Sequence, residues 1–377
     1  MPDRLAKRLP PGEAFPVSDF MSRFRDLAAA ADDTVFWHPI ETPGDALRRL
    51  ADLADELEVR WDSYGARGPV AVLEHRLADL FGRPAAFFPS GVMAQQSALR
   101  VWCEREGTRR VAMPDISHLL VHEMDGPRRL HGFEVEHLTR GPEVATAESL
   151  RGVVGRLGAA LVELPLRDAG CRLPTWEQLV ELSEAARDRG VPLHVDGARI
   201  WESQPRWDKP FPEIAALTDS MYVSFYKGLR GLAGAALIGP EDFLAEARVW
   251  RTRMGGTLYR STPEALAALA GLRDLLPRMA ECYAWAQALA AELPGHGIAP
   301  NPTEPHTSTF LLHAAGDEDE VNERLLAVME RERLQVCGPW WADREPGRVT
   351  TEVAVSTPAL AHEPAHVAKL LAEIAIG

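Results

Sequence analysis

Met221-Tyr222-Val223-Ser224-Phe225-Tyr226-Lys227-Gly228-Leu229 reads as a short apolar strand that runs out into a lysine and a glycine. A lysine at such a strand end, beside glycine and with no obvious anionic partner, is placed to lose its water. Desolvation penalises the ammonium form, lowers the pKa and frees an amine for imine formation. Ser224, three residues earlier, offers a hydroxyl to a phosphate. The run Gly231-Leu232-Ala233-Gly234-Ala235-Ala236-Leu237 that follows reads as a tightly packed turn and strand, which argues for a buried neighbourhood. An exposed lysine after a strand is spelled the same way, so Lys227 acquires meaning only from its scaffold and partners.

Outward from this stretch, strands are expected over 85–89, 159–163, 192–196 and 221–225, alternating with helical segments. Amphipathic helices are expected over 46–57 and 69–82 and after Gly91. Another follows Pro174-Thr175, carries Trp176, Leu179, Leu182 and Ala186 on one side, and ends at Gly190. The fold class is therefore α/β, a mostly parallel sheet wrapped by helices. After Gly256 the texture changes. Two helices separated by Pro277, strands over 307–313, 334–337 and 349–356, a helix over 318–331 and a last helix suggest a smaller α/β domain. The expected organisation is an N-terminal arm over 1–45, a large domain over 46–258 and a small domain over 259–377.

The bulk properties narrow the chemistry. A chain of 377 residues with 46% hydrophobic content can bury more than one core. A net charge of -14 and a pI near 5.4 disfavour nucleic acid and anionic membrane as partners, because both demand clustered positive charge. Four cysteines without C-x-x-C spacing, and no secretory leader, lead us to expect a reduced cytoplasm. The longest apolar stretches fall well short of the roughly 20 residues that span a bilayer.

Three further segments supply partners for Lys227, since ligands of open α/β sheets bind beyond the carboxyl ends of strands. In Phe88-Pro89-Ser90-Gly91-Val92-Met93-Ala94 a strand turns into a helix whose first amides, at Gly91 and Val92, would point at a phosphate. A serine N-cap with a glycine turn has the same spelling. In His194-Val195-Asp196-Gly197-Ala198-Arg199 the Asp196 carboxylate can pair with a protonated pyridine nitrogen, and Arg199 can grip a substrate carboxylate, although a structural Asp-Arg pair reads identically. In Ser117-His118-Leu119-Leu120-Val121-His122-Glu123, read as following a strand, His118 can stack on a pyridine face and serve as a base. An imine-forming lysine, a phosphate cradle, a pyridine partner and a stacking imidazole together call for pyridoxal 5'-phosphate (PLP).

In this order the segments resemble the threonine aldolase family of fold-type-I PLP-dependent enzymes, also called the β-eliminating lyase-like group, from about Asp33 to the C-terminus. Asp33-Thr34-Val35 is similar to the family's S-D-T-V and Asp62-Ser63-Tyr64-Gly65 to its Y-G segment. Pro89 to Ala94 is similar to P-S-G-T-M-A-N, His194 to Arg199 to H-x-D-G-A-R, and Ser224 to Leu229 to S-F-x-K-G-L. The resemblance implies a Schiff-base lysine at Lys227, a pyridine partner at Asp196, a stacking histidine at His118 and a phosphate cradle at Ser90, Gly91 and Val92. It implies Arg199 on the substrate carboxylate, with Arg348 of Gly347-Arg348-Val349-Thr350 as a second. Tyr64 is implied near the substrate, as is Asp32, which stands where a serine is usual. Arg253, ahead of Gly255-Gly256, resembles a basic segment that serves the cofactor and the subunit interface, and family members assemble as homodimers or homotetramers.

The departures bear on the reaction. Where many members carry E-N-T-H, this chain reads Glu163-Leu164-Pro165-Leu166, so leucine replaces a second histidine, with Arg167 adjacent. Val92 replaces a threonine, and Gly65-Ala66-Arg67 replaces G-E-D. The implied activity is an aldehyde-lyase that splits a threonine-like β-hydroxy-α-amino acid into glycine and an aldehyde, with His118, directly or through water, as the base. The same cofactor supports β-elimination, racemisation and transamination, and a non-catalytic binding protein could retain the fold. A nicotinamide dehydrogenase is disfavoured because no G-x-G-x-x-G follows a strand, and a metal hydrolase because His118 and His122 lack the H-E-x-x-H arrangement.

Overall fold

The computed structural model describes residues 19–38 and 41–377, so the first 18 residues of the arm expected over 1–45 lie outside the described residues. The chain divides into two compact units, one of residues 41–283 and one formed by 1–40 together with 284–377.

In the larger unit seven strands form one sheet in the order Ala85–Phe88, Ala235–Ile238, Ser220–Ser224, Leu193–Gly197, Ala159–Glu163, Arg110–Met113 and Glu134–His137. Neighbours run parallel except Ala235–Ile238, which is antiparallel to both of its partners. The central strands are buried along their whole length, which is why they read as continuous apolar runs rather than as alternating ones. One face packs on the Gly91–Glu106 helix through Ala159, Leu161, Tyr222, Ala235 and Leu237. The other face carries Ala160, Val162, Val195 and Val223 into the largest core, beneath helices that include Gly68–Phe81 and Trp176–Asp188. The α/β class and the mostly parallel sheet are as expected.

Two local expectations change. The Thr262–Asp274 helix, which opens the segment expected to form the small domain, packs in the larger unit. Its Leu266, Ala267 and Ala270 are buried with Leu50 and Leu53 of the Pro43–Glu56 helix. Each of these leucines is worth about 2 kcal/mol of buried surface, which holds the helix there and moves the boundary from 258/259 to 283/284. The segment around His118 is also not a strand end. Arg110–Met113 ends first, Ser117 N–H closes a turn on the Pro114 carbonyl at 3.0 Å, and His118 opens the short helix His118–Val121.

The smaller unit holds a four-stranded antiparallel sheet in the order Trp341–Ala342, Arg348–Ala354, Thr309–Ala315 and Ala299–Asn301. Its Asp33–Thr34 strand pairs in parallel with Leu334–Gln335, which ties the described N-terminal residues to the C-terminal ones. Among the described residues no helix is long and apolar enough to cross a membrane.

Candidate active site

Strand register assembles the site. Glu163 lies opposite Asp196, and Asp196 opposite Tyr222, on three adjacent parallel strands. Registered positions of neighbouring strands share a face and stand about 5 Å apart, so two carboxyls and a phenol meet at the strand ends, on the face covered by the Gly91–Glu106 helix. Deeper on that face, Trp102 Nε1–H donates to Ser220 Oγ at 2.8 Å, and Ser220 Oγ lies 2.8 Å from His194 Nδ1. Burial pushes the His194 imidazole down to about 3, so it is neutral and serves as a fixed spacer below Asp196.

The helix start is shaped for an anion. Ser90 has extended backbone and its Oγ accepts the Met93 N–H at 3.3 Å, which makes it the N-cap. The Gly91 and Val92 amides, in the first turn, have no intrahelical acceptor. A Cβ on Gly91 would lie 2.1 Å from the Tyr222 hydroxyl, so only glycine lets that phenol reach the helix start. Ser224 Oγ, on the next strand position facing the same way, is buried beside the Tyr222 and Tyr226 phenols. A buried hydroxyl among phenols and two free helical amides gather hydrogen-bond donors at the helix start. They fit a phosphate.

Lys227 follows the same strand, half-buried. Loss of water lowers its pKa, the charges of Arg199 and Arg167 lower it further, and Asp196 and Glu202 oppose them only in part. The amine therefore has the low proton affinity that imine formation needs. Asp196 is buried, with Oδ1 accepting the Ala198 N–H at 2.9 Å. Arg199 is buried three residues on, with Nη1 3.3 Å from Glu202 Oε1. His118 presents its backbone N–H to Glu163 Oε1 at 2.6 Å and its Nδ1 to Glu123 Oε1 at 3.1 Å. Glu163 is pushed up above the usual carboxylate range, first by burial and then by Asp196 across the strand. These residues, from four segments of the chain, fit the lysine, ring partner, stacking group and phosphate cradle that PLP requires.

Other expected residues stand elsewhere. Arg253 stacks over the Trp250 ring at 4.6 Å, as does Arg100, and Trp250 Nε1–H donates to Glu104 Oε2 at 3.1 Å. The Trp250 ring thus holds the Arg253 guanidinium alongside the Gly91–Glu106 helix. Tyr64 is exposed and sits edge-on to Tyr259, 5.3 Å between ring centres. Its neighbour Asp62 is fully buried and accepts from Ser261 N–H and Thr262 Oγ, so this segment anchors a turn. In the smaller unit Asp32 pairs with Arg333 at 2.7 Å, and Arg348 begins a strand and pairs with Glu345 at 3.0 Å. Leu166 is buried among Val162, Leu164 and Leu182 and turns away from solvent.

Sequence reasoning passed over Glu163 and Tyr222 as site residues. Glu163 carried a usable signal, because it ends the apolar run Ala159–Glu163 much as Asp196 comes near the end of its own strand.

A family model described as beta-eliminating lyase matches residues 45–316. The solved structure of a putative L-allo-threonine aldolase from Listeria monocytogenes is 31% identical, superposes with a TM-score of 0.86, and covers 94% of this chain and 99% of its own. The chain belongs to the beta-eliminating lyase family, in its threonine aldolase group. A putative aromatic amino acid beta-eliminating lyase/threonine aldolase from Exiguobacterium is 32% identical with the same TM-score, covering 93% and 99% of the two chains. A probable low-specificity L-threonine aldolase of Arabidopsis thaliana is 28% identical over 247 residues, 63% of this chain and 69% of the relative. With this membership the cofactor is PLP and the protein is a PLP-dependent lyase of fold type I.

Proposed function

We propose that the protein is an aldehyde-lyase that cleaves a β-hydroxy-α-amino acid of the threonine kind into glycine and an aldehyde. What supports this reading is that Lys227, Asp196 and Arg199 follow or end adjacent parallel strands, with the His118 N–H on Glu163 at the end of the next strand. PLP, when bound, withdraws the electron pair left on Cα as the Cα–Cβ bond breaks. Lys227 is the residue that would hold the cofactor through its amine. Asp196 would pair with the protonated pyridine nitrogen of the bound cofactor. Ser90, Gly91 and Val92, with Ser224, hold the phosphate, and His118 covers the ring face. Arg199 orients the substrate carboxylate. The proton acceptor on the β-hydroxyl is an imidazole of the His118 cluster.

The protein works in the cytoplasm as a homodimer or homotetramer. The free, buried thiols of Cys103, Cys282 and Cys337 support the compartment. Trp61, Tyr64 and Tyr259, each about 60% exposed, support self-association, with Arg260 stacked between the rings of Trp61 and Tyr259. Within the assembly Arg253 serves the cofactor and the subunit interface.

The test is product analysis with a panel of β-hydroxy amino acids, alongside Lys227→Ala and Asp196→Asn. Wild type yields glycine and one equivalent of aldehyde. Lys227→Ala loses the visible cofactor band and is not labelled after borohydride treatment. Asp196→Asn retains cofactor with turnover lowered by about 100-fold or more. Ammonia and an oxo-acid in place of glycine would move the protein to β-elimination.

A further inference from the structure

A second imidazole stands beside His118. His122 caps the short helix that His118 opens, one turn further on, and the two rings lie 4.9 Å apart, tilted by 43°. His122 Nε2 meets both oxygens of Asp168, at 2.9 and 3.1 Å, and Arg167 Nη1 holds Asp168 Oδ1 at 3.1 Å. Arg167 and Asp168 sit on a tight turn closed by two backbone bonds between Leu166 and Arg172, of 2.8 and 3.2 Å. The Asp168 side chain is 18% exposed and that of His122 33% exposed, so the acid is sheltered while the imidazole still meets solvent.

Burial alone would raise the pKa of Asp168. The hydrogen bond from His122 and the charges of His122, Arg167 and His118 outweigh it and hold the carboxyl below its usual range. An ionised Asp168 takes the Nε2 proton as a hydrogen bond and leaves the Nδ1 lone pair to accept another. His118 is committed differently, with Nδ1 on Glu123 and its backbone on Glu163. The dyad adjoins the strand ends that carry Glu163 and Asp196, because the His122 ring lies 4.9 Å from that of His118, whose N–H bonds Glu163 at 2.6 Å.

We infer that His122, oriented by Asp168, takes the proton from the substrate's β-hydroxyl, while His118 keeps the stacking role. The inference rests on the lyase reading above. In the step the O–H bond breaks and its proton passes to His122 Nδ1. The oxygen's electrons form the aldehyde C=O bond as Cα–Cβ breaks, the Cα–Cβ pair stays with Cα, and a proton returned to Cα completes glycine. Substrate atoms and electrons balance without an oxidant or reductant.

The test uses the PLP-loaded enzyme and two variants. His122→Gln retains an amide N–H that can still bond Asp168, so a purely structural pin survives while the proton acceptor is lost. His122→Phe removes both. Cleavage of threonine and its diastereomer is followed by aldehyde release. Glycine, which has no β-hydroxyl, reports on the rest of the site through its dissociation constant by calorimetry and its α-hydrogen exchange in D2O. The expected result is a fall in cleavage kcat of about 100-fold or more in both variants, the usual worth of a general base, with glycine binding and exchange within about threefold of wild type. Wild-type-like cleavage in His122→Gln overturns the inference, as does a parallel loss of glycine exchange. A wild-type enzyme that exchanges glycine yet cleaves no β-hydroxy amino acid overturns the lyase reading itself, and this inference with it.

Discussion

Replacing Glu163 by glutamine keeps the shape of the buried carboxyl pair and removes one of its titrations. The glutamine oxygen can still accept the His118 N–H, and its amide can donate to Asp196 at every pH. In the apoprotein, Glu163 is shifted from an ordinary 4.5 to about 8, by burial first and Asp196 second. A raised native pKa means that the unfolded chain releases this proton sooner. Stability tied to Glu163 is therefore complete below about pH 4.5 and is lost as pH rises toward 8. At about 1.4 kcal/mol per unit, the upper limit is about 5 kcal/mol. Buried sites respond with an effective dielectric nearer 20 than 4, so reorganisation around the pair takes back part of this, and about 2 kcal/mol is the expected loss between pH 5 and 8. Urea melts of the apoprotein and of Glu163→Gln across that range measure it. The variant should show a curve flatter by about 2 kcal/mol. Parallel curves would refute the reasoning, because they would mean that the glutamate is ionised in the native state at neutral pH.

Two further perturbations probe the same face of the sheet. Gly91→Ala sets a methyl 2.1 Å from the Tyr222 hydroxyl, so the phenol or the helix start must move. A loss of about 1–3 kcal/mol in urea melts and a weaker PLP dissociation constant are expected, and unchanged cofactor affinity would remove the cradle from the phosphate's grip. For His194 the sign is opposite to that of Glu163. Its pKa is depressed to about 3 by burial, so stability present above pH 6.5 is lost as pH falls toward 3, and His194→Gln should flatten the acid limb between pH 6.5 and 5 by about 1–2 kcal/mol in the same melts.

What was legible in the sequence was local. Lys227, Asp196 and the Ser90-Gly91-Val92 turn each follow or end an apolar strand, and a parallel sheet brings strand ends together without further instruction. The domain boundary was not legible, because the Thr262–Asp274 helix has the same alanine-leucine texture whichever core it joins, and only its partners Leu50 and Leu53 decide. The stacking partner of Arg253 was hidden for a similar reason. A basic residue before two glycines says nothing of a tryptophan three positions earlier that offers its ring as a platform. His118 fell on a helix rather than a strand end because the Pro114 turn, closed by Ser117, interrupts the chain after Met113.

The leucine at position 166 marks the limit of reading one position at a time. Taken alone it removes an imidazole that the resemblance leads one to expect, and with it a proton acceptor. In the folded chain Leu166 turns into the core while the residues immediately after it, Arg167 and Asp168, turn toward His122, which is 46 residues away in sequence. A functional group can thus be absent from one segment and supplied by another, provided something orients it. Asp168 supplies that orientation, and a lone solvent-facing histidine would not have it. The chemistry at the β-hydroxyl therefore depends on the turn closed between Leu166 and Arg172 rather than on the identity of residue 166. Substitutions that loosen this turn should slow cleavage even though they touch no group that meets the substrate.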